Sequence, residues 1–400
     1  FVAFHGLRIL WRDYTTVLVL ALLCAVLSVL TLKEQFLGGA AGGRQLAAFI
    51  QRQVPDGAEV LVVVRDTAED ADFAAALEVQ LKAAGYKIVE TARGQPSDAR
   101  RALVRAVQAG RRIDIIAANH STASWGVFSD LATLGGGLAD ARVLQPPSYL
   151  RSTFLKPDNL LNIANQIVII AILAIGMTIV IIAGGIDLSV GSLVALAAVL
   201  LAYLTREFAG GRSAGLAGLS LCIAATILAM GLAGAVNGIF VSLLRIPPFI
   251  VTLATMSAAS GLALAITNSE TISEVPSSID AIMQGTPLGI QNGVILMLLL
   301  YIAGHIALSH TVFGRYVYAV GGNRKAAWLC GLPVARIEVA AYAISGALAG
   351  LAGVLMVSQY RSASPTYGQA FELQTIAAVV VGGTSLSGGQ GSMFGTLVGA

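Results

Sequence analysis

Apolar residues run along this chain in blocks of bilayer length, interrupted once by a stretch of different character at 44–150. The first block, TTVLVLALLCAVLSVLTL, covers 15–32, and a helix that crosses a bilayer takes about 20 residues. Small residues from Gly38 to Gly43 follow it and could serve as a signal-peptide cleavage region. The block outruns the roughly 7–15 apolar residues of a signal core, however, so a retained helix is the expectation. From Asn159 onward, spanning or partly spanning segments are predicted near 160–183, 190–204, 215–243, 248–267, 292–308, 339–357 and 373–400.

The interrupting stretch alternates short β-branched runs with amphipathic ones. VLVVV at 60–64 predicts a buried strand. TAED at 67–70 has the form of a capping box and predicts a helix through Phe73, Leu77 and Leu81 to Gly85, which suits a C′ position. YKIVE at 86–90, a second helix from Ser97 to about Gln108 ended by Gly110, and IDIIAA at 113–118 follow. Strand–helix–strand–helix–strand implies a parallel sheet with packed helices, closed by Pro146 and Pro147. The fold class expected is therefore an α-helical polytopic membrane protein with an inserted soluble α/β domain.

Composition supports the membrane reading. The chain is 56% hydrophobic and 12% charged, about half the charge of a soluble domain. The net charge of +3 does not point to a nucleic-acid partner, because the basic residues sit between apolar blocks, where they report orientation. Arg8 and Arg12 put the N-terminus in the cytoplasm, which places 44–150 and the Lys/Arg-free loop 268–291 outside. Loop 309–338, with Arg315, Arg324, Lys325 and Arg336, then falls inside, as the positive-inside rule requires. Cys24, Cys222 and Cys330 are far apart and suggest neither a disulfide nor a metal site, and the four histidines lack ligand spacing. The chain starts at Phe1 and stops within an apolar run at Ala400, so it is expected to be incomplete at both ends.

Four segments carry candidate chemistry. GMTIVIIAGGIDLSVGSLVAL (176–196) holds Asp187, and a carboxylate among apolar blocks is costly unless it lines a polar pathway or ends a helix. Asp187 and Ser189 are both N-cap candidates, and the capping and transport readings are compatible. Asn237 opens a second segment, in which Pro247-Pro248 beside Arg245 reads as a loop between spans. In FGRYVYAVGGNRKAAWLCGLPVARIEVAAY (313–342), glycines and Pro333 bracket a short helix from Asn323 to Cys330. That helix has either an adaptor's shape, offering another protein a face to grip, or the shape of an ordinary amphipathic loop. LSGGQ at 386–390 spells an ATPase signature, but no G-x-x-x-x-G-K-[ST] loop exists in the chain. Gly388 and Gly389 are read as a glycine-rich helix break.

These segments, with VNGIFVSLLRIPPFIVTLATM and ELQTIAAVVVGGTSLSGGQGSMFGTLVGA, closely resemble the permeases of ribose, xylose, arabinose and galactoside ABC importers over 151–400 and the first helix. The resemblance implies a non-enzymatic, multi-pass subunit of a bacterial inner membrane that moves a monosaccharide. It implies as partners a second permease copy, two ATPase subunits that carry the ATP and Mg, and a periplasmic sugar-binding protein. No cofactor is expected on this chain itself. The family's ATPase-coupling segment falls on Gly322, Asn323, Ala326, Ala327 and Gly331, and Asp187, Ser189, Asn237, Gly388 and Gly389 are pathway or helix-break candidates. Family members usually continue beyond GTLVGA, so the permease core of 151–400 is expected to lack its last helices. Residues 1–43 form the N-terminal segment and first helix, and 44–150 looks like one lobe of a periplasmic sugar-binding protein. That lobe either docks or partly replaces the separate binding protein, or is a structural fusion. Two other functions stay open: an ion-coupled transporter, for which Asp187 is almost the only candidate group, and a membrane-tethered sensor, which would need an output domain not seen here.

Overall fold

The computed structural model of the chain describes residues 17–129, 131, 135, 138, 140–287 and 289–400. Arg8 and Arg12, on which the orientation of the first helix rests, and His5 lie outside the described residues. Two compact units divide the chain, one of Leu27–Phe154 and one of Leu155–Ala400 with the residues up to Val26. An apolar helix, α1 (Val17–Leu30), precedes the first of these.

The Leu27–Phe154 unit opens and closes with strands that pair with each other. β1 (Leu32–Gln35) runs antiparallel to β6 (Tyr149–Ser152), with Leu32 opposite Ser152. The Thr31 and Ser152 hydroxyls lie 3.0 Å apart beside this clasp. Between the two come α2 (Gly39–Gln53), β2 (Glu59–Val64), α3 (Ala68–Ala83), β3 (Lys87–Arg93), α4 (Pro96–Gln108), β4 (Ile115–Ala118), the short α5 (His120–Ala123) and β5 (Arg142–Leu144). The four inner strands are parallel in the order β3-β2-β4-β5. β2 is central and almost wholly buried, as its run of valines demands. Helices α2 and α3 cover one sheet face through Leu46, Ile50, Phe73, Leu77 and Leu81, and α4 covers the other through Ala99, Ala102 and Leu103.

Local chemistry sets the boundaries. The Thr67 hydroxyl caps α3 by accepting from Asp70 N at 3.2 Å. The small residues 38–43 begin α2, and Gly43 sits so close to α3 that a Cβ there would strike Phe73 O. β1, β5 and β6 are too short to leave a periodic signal and were not expected from the sequence.

The second unit contains six helices long and apolar enough to cross a membrane: α6 (Pro157–Ile182), α7 (Val190–Phe208), α8 (Leu216–Ser242), α9 (Pro248–Thr267), then, after the short α10 (Asp280–Gln284), α11 (Asn292–His310), and α14 (Val334–Tyr360). Helices α12 (Val312–Gly322) and α13 (Arg324–Leu329) lie between α11 and α14, and α15 (Phe371–Val381) and α16 (Met393–Gly399) end the unit. The apolar stretch 373–400 is thus two short helices around a glycine-rich turn. Helix α14 starts earlier than the apolar block at 339, because Pro333 starts it and Glu338, its only acid near that end, is paired. Helices α6, α7 and α14 are mostly buried, whereas α8, α9 and α11 show mostly apolar outer faces.

In hydrocarbon, apolar side chains gain little by leaving lipid, so helices associate by close packing. The α8–α14 seam is built that way. A Cβ at Gly238 would come within 2.6 Å of Val339 Cα, and one at Gly346 would meet the Met230 carbonyl. Gly350 extends the seam, with Ile227 Cα 3.0 Å from the position of its missing Cβ.

In the soluble unit, Asp70 ties the α3 cap to the end of β2. Its Oδ2 accepts from Arg65 N at 3.0 Å and Arg65 Nε at 2.9 Å, and its Oδ1 accepts from Arg65 Nη2 at 3.2 Å. Burial would raise the Asp70 pKa, but hydrogen bonds from the Arg65 side chain and backbone and from Asn119 outweigh it and hold the carboxyl below the usual range. A depressed native pKa adds stability above the unfolded value of about 3.9, and that stability is lost as pH falls through the native value. The Arg65 side chain is half exposed, which limits the effect to about 1 kcal/mol. Asp70→Asn in the full-length protein should therefore speed amide exchange in β2 and α3 about fivefold at neutral pH. The difference from the parent should vanish below about pH 3, and a pH-independent difference would contradict the assignment.

Candidate functional site

Helix α6 ends in a turn that water cannot reach. Gly184, at φ +90°, lets Gly184 N donate to Ile181 O and Gly185 N to Val180 O, both at 2.9 Å, which closes the helix with a Schellman-type pair. The chain then runs without helix to Ser189, and Asp187 lies fully buried in this break. Its Oδ1 accepts from Ser189 N at 3.0 Å and from Ser189 Oγ at 2.6 Å, and its Oδ2 accepts from Ser345 Oγ on α14 at 2.8 Å. Asn237 Nδ2 on α8 donates to Ser189 Oγ at 3.1 Å, and Thr255 Oγ1 on α9 donates to Asn237 Oδ1 at 2.5 Å. The structure thus brings Asp187, Ser189 and Asn237 into one buried network that joins the α6–α7 break to three other helices. Its donors are hydroxyls, an amide and one backbone N–H, and no lysine or arginine is among the buried residues described.

The segment Gly322–Gly331 forms a sharp turn at the end of the bundle where α6 and α8 finish and α9 and α14 begin. Asn323 ends α12 and caps α13, its Oδ1 accepting from Ala326 N at 2.9 Å. Gly331, at φ +80°, ends α13, and Pro333 starts α14. Of the six residues of α13 only Ala327 is buried, while Trp328 and Leu329 are 67% and 69% exposed. Arg324 grips Glu338 with two bonds, Nε to Oε1 at 2.7 Å and Nη2 to Oε2 at 3.0 Å. Its Nη2 also donates to Ser242 O at 3.3 Å.

Gly388 and Gly389 lie at this same end. Both have positive φ, and Gly389 N donates to Ile182 O at 2.8 Å. A Cβ at Gly321 would overlap Ile182 O and come within 2.7 Å of Gly389 N, so only glycine lets α6, α12 and the 385–391 turn meet here. The LSGGQ string is a tight turn packed on the end of a helix. A cavity of about 410 Å³ opens beside it, lined by Gly185, Arg245, Gly321, Arg324, Glu338 and Tyr342 among others. Among the described residues there is no group of three or more His, Cys, Asp or Glu able to hold a metal.

Sequence reasoning missed Glu338, Ser345 and Thr255. Glu338 left a signal, a lone acid at the start of an apolar run, which in a membrane protein asks for a partner. Ser345 and Thr255 left none, because hydroxyls are common in membrane helices and only the tertiary fold aims them. Ser345→Ala would remove one of the two donors from other segments that hold this network, and leave Asp187 Oδ2 without its hydroxyl. The variant should lower the unfolding midpoint in detergent. Combined with Asp187→Ala it should cost less than the sum of the two single changes, since both delete the same bond. Additive midpoint shifts would contradict the network.

Comparison with known proteins agrees with this architecture. Residues 159–400 match the family described as "Branched-chain amino acid transport system / permease component". The chain is 42% identical over 256 residues to the ribose import permease protein RbsC of Bacillus subtilis (strain 168), a match covering 63% of this chain and 76% of the relative. It is 41% identical over 258 residues to RbsC of Escherichia coli (strain K12), covering 63% and 78%. It is 33% identical over 308 residues to the xylose transport system permease protein XylH of the same strain, covering 62% and 77%. No solved structure matches the chain significantly. With its spans, its buried polar break and its exposed turn in the matched region, the chain belongs to this family of membrane permease components.

Proposed function

We propose that this chain is the transmembrane subunit of an ATP-driven importer for a ribose- or xylose-like monosaccharide, working with ATPase subunits that carry the ATP and Mg. The observation that carries the reading is α13, a capped six-residue helix held by one buried alanine, which presents Trp328 and Leu329 to solvent. An exposed Trp beside Leu at a sharp turn is costly in water and suits the centre of a protein interface. Arg245, Arg324, Lys325 and Arg336 surround a groove there, and the positive-inside rule makes this end cytoplasmic, where the ATPases are.

The sugar class rests on the named relatives and on the site. A sugar is neutral, and an amino acid would ask for a buried cation to meet its carboxylate. The polar junction offers hydroxyls, an amide and a carboxylate whose oxygens are already engaged. Closure of the ATPases pulls α13, and the helices that meet at Asp187 shift to open the pathway inward. An ion-coupled mechanism would rest on Asp187 alone, and that carboxylate has protein donors on both oxygens.

Residues 44–150 form an extracytoplasmic α/β domain in this reading, since they precede α6, which ends on the cytoplasmic side. The parallel sheet supports its likeness to one lobe of a sugar-binding protein, with which it docks or which it partly replaces. A second permease copy completes the transporter.

Co-expression with a candidate ATPase subunit tests the reading. Trp328→Ala should weaken the complex at least about thirtyfold, because a buried interface Trp contributes strongly, with the permease's own unfolding midpoint unchanged. Ala327→Asp should lose both, since it places an unpaired charge under α13. A wild-type chain that never retains an ATPase subunit would refute the proposal.

A further inference from the structure

We propose that Arg324 and Glu338 form the joint through which movement of α13 reaches the buried network at Asp187, an inference that rests on the permease reading above. The two residues bond in a bidentate pair, with N–O distances of 2.7 and 3.0 Å. Glu338 is 7% exposed, while the Arg324 side chain is half exposed and borders the surface offered to the ATPase. Arg324 stands at the first position of α13, whose only other anchor is Ala327. If α13 moved away alone, the Glu338 carboxylate would stay buried without a partner, which is strongly unfavourable. Helices α13 and α14 are therefore bound to travel together.

What α14 would carry follows from its geometry. Glu338, Tyr342 and Ser345 stand at i, i+4 and i+7, on one face of an uninterrupted helix. The rise between the first and last is about 10 Å. At one end of this face is the pair with Arg324, and at the other is the Ser345 hydroxyl on Asp187 Oδ2. Between them the Tyr342 hydroxyl lies so close to the α6–α7 break that a Cβ at Gly185 would collide with it. The third bond of Arg324, to Ser242 O, reaches the end of α8, the helix that carries Asn237 into the same network. Both routes from Arg324 thus end on the residues around Asp187 and Ser189. The cavity beside Glu338 and Tyr342 leaves the α14 face room to shift against the break. Arg324 and Glu338 are positioning residues in this scheme, and neither needs to touch the transported molecule.

The test uses the whole chain with its ATPase subunits in proteoliposomes, with Cys24, Cys222 and Cys330 replaced by serine and a single reporter, Leu188→Cys, beside Asp187. Maleimide labelling is timed without nucleotide and after trapping with ATP and vanadate, which needs no knowledge of the sugar. With the pair intact, trapping should change the labelling rate by about fivefold or more. Glu338→Gln and Arg324→Met should bring that ratio to about one while the ATPase subunits still co-purify, a pattern that loss of folding would not give. The reversed pair, Arg324→Glu with Glu338→Arg, should restore the response. A nucleotide response that survives either single change, a reversed pair no better than the single variants, or an intact protein whose rate ignores nucleotide would overturn the joint. A chain that retains no ATPase subunit at all would overturn the permease reading itself.

Discussion

Inside a bilayer the chain has no water to complete its hydrogen bonds, and the break between α6 and α7 makes that constraint acute. Seven residues there leave the helix, and one of them is a carboxylate. Every partner must come from the protein itself. Ser189 supplies two donors from within the break and Ser345 a third from α14, while Asn237 and Thr255 bind the break to α8 and α9. Any displacement of one of these segments has to carry the others or leave a buried polar atom bare. The site is therefore a load path as well as a polar patch.

Close backbone approach makes that path stiff. Glycine on both sides of the α8–α14 seam brings Asn237 and Ser345 near enough to share a network, and Gly321 lets α12 rest on the last carbonyl of α6. A methyl group at any of these points would push the helices apart and pull donors from acceptors. The same small residues that bring the helices together in lipid also align the polar groups within them.

Much of this organisation was legible in the chain. Spans could be counted because bilayer thickness fixes a length, and the soluble insert stood out by its charge and its alternation of strand and helix. Asn323, Gly331 and Pro333 announced the short helix between them because each has a strong backbone preference, and the helix lies within one residue of either expected end. The clasp between β1 and β6 was not legible, since its strands are four residues each and pair across more than a hundred residues of chain. Nor was the destination of Asp187. A lone carboxylate says that partners exist, but hydroxyls on three other helices carry no mark of which one turns toward it.

The most direct measurement is uptake of radiolabelled ribose and xylose into proteoliposomes that hold this chain with its ATPase subunits and a binding protein. Uptake that requires ATP, and that is indifferent to collapse of proton and sodium gradients, is the expected result. Uptake that proceeds without ATP and disappears with an ion gradient would contradict it, and would make Asp187 the site of the coupling ion.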